Sequence, residues 1–158
     1  MNDKRSEQKN SSSEKLLEEL YKNAKMGANS IIDLLPKVKD QNMRDELTSE
    51  LDSFEKFAKE AETLLYEINT EPQEENLFAR LGTKMSVAMN TMVDSTSSHI
   101  AEMMIKGATM GITEATKLLR ESENSSCSEE ALSLARRLIK YEEESIDRLK
   151  KFLYSFFT

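Results

Sequence analysis

The sequence predicts an all-α protein, an antiparallel four-helix bundle with an additional crossover helix. Three observations carry this. Apolar residues recur at three- and four-residue spacing through most of the chain. The 158 residues include only 4 Gly and 2 Pro, so turn formers are scarce. No segment alternates polar and apolar residues as a half-buried strand does.

Residues 1–13 are polar and read as a disordered tail. Ser11 with Glu14 has capping-box spacing. The first helix then runs to Leu35 or Val38 on the stripe Leu17, Leu20, Ala24, Gly27, Ala28, Ile31, Leu34, and Pro36 kinks or ends it. The second covers 42–68, with Leu47, Leu51, Phe54, Ala58, Ala61 and Leu65 inward; Glu55 and Glu62 flank that stripe. Pro72 closes it.

The segment 77–93 carries Phe78, Leu81, Met85, Met89 and Met92 on one face. It is nearly in phase with the next stripe, Ile100, Met103, Met104, Gly107, Gly111 and Leu118. An unbroken helix over 77–120 would measure about 65 Å, against about 40 Å for its neighbours. A break is therefore expected in Asp94–Ser98, where hydroxyl side chains compete for backbone bonds. Ser126 with Glu129 is a second capping-box candidate before the last helix. That helix buries Leu134, Leu138, Ser145, Leu149, Phe152 and Phe156. Glu142 falls at the centre of the same face, where a carboxyl needs a partner or a proton.

The two halves echo one another. Met26-Gly27 and Leu34-Leu35 recur as Met110-Gly111 and Leu118-Leu119. Phe54-Glu55 answers Tyr141-Glu142 after a three-residue lengthening of the loop. Glycine inside a helix costs about 1 kcal/mol relative to Ala, so Gly27 and Gly111 are expected at two equivalent close helix crossings.

Two such hairpins joined by a long crossover describe a ferritin-like bundle. LLEELYKNAKMGANSIIDLLPKVKDQNMRDELTSELDSFEKFAKEAETLL resembles the first hairpin of a bacterial ferritin-like family of unknown function, and ARRLIKYEEESIDRLKKFL resembles that family's acidic closing helix. The resemblance covers residues 14–155 and implies one bundle domain over 14–158. Di-iron members of the fold place a Glu on each of two helices and Glu-x-x-His on the other two. Glu55 and Glu142 match the Glu of the latter motifs, but Ala58 and Ser145 stand at the His positions. Asn23, Ala24, Gly107 and Ala108 stand where the remaining Glu residues are expected. Two of six ligands match, which implies a degenerate di-metal site. His99, the only histidine, is a boundary residue or one ligand of an interface metal. The metal candidates are thus Glu55, Glu142 and His99, with iron or manganese as the alternative to no cofactor.

Other features narrow the function without naming it. The net charge of −7 disfavours nucleic acid. No apolar run is long enough to span a membrane, and the first residues lack the apolar core of a signal peptide. With a single Cys, these point to the cytoplasm. Phosphate loops, zinc-type Cys spacing and nucleophile elbows are absent. Met85, Met89, Met92, Met103, Met104 and Met110 fill a core or line a ligand pocket. The apolar surface of 77–93 points to at least a homodimer. The readings are a non-enzymatic binding or structural protein, a metal-binding oxidoreductase or iron-handling protein, and a carrier of a small hydrophobic ligand. The buried carboxylate count favours the first.

Overall fold

A computed structural model describes residues 2–72, 92 and 94–153. These residues form four long helices: α1 (Asn2–Leu34), α2 (Gln41–Glu67), α3 (Ser97–Glu123) and α4 (Glu129–Leu153), with a 3-10 turn at Leu35–Lys37. No strand occurs among them.

Pro36 ends α1 because it lacks the N–H that a further helical turn needs. Asp40 opens α2, its carboxylate accepting the Asn42 N–H at 3.0 Å. The Arg44 guanidinium closes the turn by donating to the Leu35 and Val38 carbonyls, at 3.2 and 2.8 Å. Asn69 ends α2 in the left-handed region, φ 58°. The Thr70 N–H reaches the Leu65 carbonyl and the Asn69 N–H that of Tyr66, a Schellman closure with Asn in place of Gly.

Two expectations are corrected. Residues 2–13 are not a loose tail: α1 runs through them, so Ser11 caps nothing. Ser13 is buried, and its Oγ accepts the Ser128 N–H at 2.9 Å. The cap of α4 is Ser128 rather than Ser126, its Oγ accepting the Ala131 N–H. The expected break before α3 is present. Asp94 accepts the Thr96 N–H, and Thr96 caps α3 by accepting that of His99. The segment 77–93 lies outside the described residues, except for Met92, which is half-buried against the core. Phe156 also lies outside them.

α1 packs along α2, and α3 along α4. The pairs meet where α1 touches α3 and α4, and where α2 touches α4. Leu16, Leu17, Leu20, Leu47, Leu65, Ile100, Leu134, Leu138 and Leu149 are fully buried, each contributing about 1.5–3 kcal/mol of transfer free energy. At mid-length this apolar packing is interrupted by buried Glu50, Glu142 and Ser145. No described helix is long and apolar enough to cross a membrane.

Candidate functional site

The interruption in the core is a polar cluster beside a cavity. Glu142 sits on the inward face of α4, as its spacing from Leu138 and Leu149 requires, and is 2 % exposed. Facing it from α2 is Glu50, 1 % exposed. Glu55 is exposed. It does not join the site; Glu50 takes its place. Leu47, Glu50 and Phe54 follow one another at three- and four-residue spacing on the buried face of α2. That spacing was the available signal for Glu50, which the sequence reading missed.

Each carboxyl has one held side. The Ser145 hydroxyl donates to Glu50 Oε1, and Arg148 Nη2 lies 3.8 Å from the same oxygen. Arg148 is chiefly engaged by Glu46, Nε to Oε1 at 2.8 Å, and stacks over the Tyr141 ring. The Asn23 side chain bonds Glu142, while its Nδ2 donates to the Gly111 carbonyl at 3.1 Å. Ser145, expected near Glu142, therefore serves Glu50. The Oε2 atoms of Glu50 and Glu142 are buried and have no hydrogen-bond partner among the described residues.

Burial raises both carboxyls, since low polarity disfavours the charged form. It pushes Glu142 up to about 8 against the bond from Asn23, with the Glu50 charge adding to the rise. Glu50 is raised to about 7, also chiefly by burial; Ser145 and Arg148 oppose the rise and Glu46 adds to it. Near neutral pH the pair holds protons that exposed carboxyls would have lost.

Beside the pair lies a cavity of about 400 Å³, with Met26, Phe54, Met104, Gly107 and Ala108 in its walls. It exists because α3 presents Gly107, Ala108 and Gly111 opposite the carboxyls, side chains too small to fill the space.

The two glycines are at close approaches, as expected. A Cβ on Gly27 would lie 2.9 Å from three Phe54 ring atoms. One on Gly111 would lie 2.8 Å from Glu142 Oε1 and 2.9 Å from Asn23 Nδ2. His99 is in the first turn of α3, about 18 Å along the helix axis from Gly111, and takes no part. Cys127 lies in the loop before α4, accepting the Ser13 hydroxyl at 3.6 Å.

The described residues contain no group of three or more His, Cys, Asp and Glu side chains placed to hold a metal ion. Two carboxyls and one amide fall short of the six ligands of a di-iron centre. The arrangement suits binding: an apolar enclosure with a few placed polar atoms. Comparison with known proteins returns no matching family model, no matching curated protein and no matching solved structure.

Proposed function

We propose that the protein is a non-enzymatic binding protein on an antiparallel, ferritin-like four-helix scaffold, taking a small organic ligand in its mid-bundle cavity. The observation that carries this reading is the cavity itself. Its volume of about 400 Å³ falls within the range of about 300–1,000 Å³ usual for small-molecule pockets, and its polar groups are few and buried. The ferritin-like scaffold is supported by the repeated contacts of the two helix pairs and by a carboxyl pair at mid-bundle, where that fold builds its sites. A cytoplasmic location, and self-association through the apolar sequence of 77–93, belong to the same proposal.

Iron or manganese handling is the second reading, favoured by the buried Glu50 and Glu142 pair. The donor set does not fit a di-metal centre, so no metal chemistry is assigned.

Saturation-transfer NMR with phenylbutanol tests the first reading. Transfer is expected to wild type and lost in Ala108→Phe, which fills the cavity. A wild type that shows no transfer overturns it.

A further inference from the structure

We infer that the ligand is a primary amine with an apolar body, its ammonium seated between the unpaired oxygens of Glu50 and Glu142. This rests on the reading of the cavity as a ligand site and names the chemistry of its occupant.

Glu50 and Glu142 are 1 % and 2 % exposed, and both line the cavity. Each keeps its Oε2 without a partner among the described residues. A buried acceptor left unpaired is costly, and two at one cavity are a requirement for donors that the protein does not meet. The opposite sides of the carboxyls are engaged. Ser145 donates to Glu50 Oε1, and Asn23 holds Glu142. Arg148 approaches Glu50 on Oε1 and is pinned by Glu46, so its charge is not placed on either Oε2.

An ammonium supplies three donors and no acceptor on a compact head. Charge-assisted N–H bonds to carboxylates are among the strong ones, and two carboxylates offset the cost of burying the cation. The wall chemistry agrees in sign. Four carboxyls, Glu19, Glu50, Glu114 and Glu142, line the cavity against one lysine, Lys22, a field that draws cations in and turns carboxylate ligands away. Met26, Phe54 and Met104 leave an apolar wall for the ligand body, and Met adapts to varied shapes.

A proton linkage follows. Seating the ammonium requires ionised carboxyls, so binding releases protons and tightens as pH rises through the range where the pair ionises. The other charged or titratable groups facing the pair are Glu19 and Lys22 on α1, Glu46 on α2, Glu114 on α3, and Tyr141 and Arg148 on α4.

The test is calorimetric titration of the full chain with phenylbutylamine, phenylbutanol and phenylbutyrate, matched in size, at about pH 8.5 and about pH 6. The amine is expected to bind at least about tenfold tighter than the alcohol at the higher pH. The advantage should narrow at the lower pH, and the acid should bind weakest. Alcohol binding equal to or tighter than amine overturns the inference and leaves the cavity reading standing. Binding by none of the three overturns both. In Glu50→Gln/Glu142→Gln, checked for folding by circular dichroism, the amine preference is expected to fall to within about twofold. A preference that survives there places the ammonium elsewhere and overturns the inference. The wild-type series is decisive even if that variant does not fold.

Discussion

Ser97 of α3 donates to Asp40, the cap of α2, Oγ to Oδ2 at 2.8 Å. Ser13 of α1 repeats the relationship from the other side, accepting the N–H of Ser128, the cap of α4, at 2.9 Å. Each helix pair thus locks the start of the other pair's second helix. Ser13 and Ser97 are as far apart in sequence as Gly27 and Gly111. Asp40 and Ser128 are as far apart as Phe54 and Glu142.

The two locks differ in what their loss exposes. Ser13→Ala leaves the part-buried Ser128 N–H unpaired and should cost about 1–3 kcal/mol. Ser97→Ala should cost about 1 kcal/mol, because Asp40 keeps its bond to Asn42. Urea denaturation measures both. A neutral Ser13→Ala would mean that the start of α1 contributes nothing to stability.

Gly27→Ala and Gly111→Ala should part ways. Each gains about 1 kcal/mol of helix propensity and meets overpacking of about 1–3 kcal/mol. At Gly27 the obstacle is the Phe54 ring, buried and edge-on to Tyr141 with centroids 5.8 Å apart. A rigid ring must move as a whole, so a net loss of about 1 kcal/mol is expected. At Gly111 the obstacles are the ends of Glu142 and Asn23, which can swing into the adjoining cavity. Stability there should change by less than about 1 kcal/mol, while phenylbutanol binding falls. Thermal melts that rank the two the other way refute this account.

The carboxyl pair sets a pH dependence. Glu142 is raised to about 8 and Glu50 to about 7, both from 4.5. An acid whose pKa is raised by folding binds more protons folded than unfolded, so its stability is fully present below the unfolded pKa. It is lost as pH rises through the folded value. Wild type should therefore lose stability between about pH 4.5 and pH 8, by up to about 1.4 kcal/mol per pH unit for each group. Glu142→Gln should flatten that slope and be at least as stable as wild type at pH 7. Parallel slopes in denaturant melts across this range would show that Glu142 ionises freely in the fold.

Metal content separates the two functional readings. With two carboxyls and no third ligand of the required type among the described residues, iron, manganese and zinc should each be well below one per chain in freshly purified protein. Elemental analysis decides this. Stoichiometric metal, lost with stability in Glu142→Gln, would mark the pair as ligands, because bound metal stabilises the native state by mass action.

The sequence by itself determined the helices and the inward side of each. Periodicity is local: a residue's angle about its own helix follows from counting, so Leu47, Leu138 and Glu142 were placed inside without any partner. Pro36 and the hydroxyl run at 94–98 marked chain breaks for equally local reasons. Only the tertiary structure decided what stands opposite what. The sequence echo pairs Glu55 with Glu142, but in the packed molecule Phe54 takes that equivalence, since Phe54 confronts Gly27 as Glu142 confronts Gly111. That one-residue slip turns a helix by about 100°, enough to put Glu55 in solvent and leave Glu50 to face the cavity. The cavity has the same origin, for small residues on α3 leave a void only where the neighbouring helices bring nothing large to fill it. The course of residues 2–13 was hidden likewise: their polar composition is that of a tail, and the bond tying Ser13 to Ser128 joins residues remote in sequence.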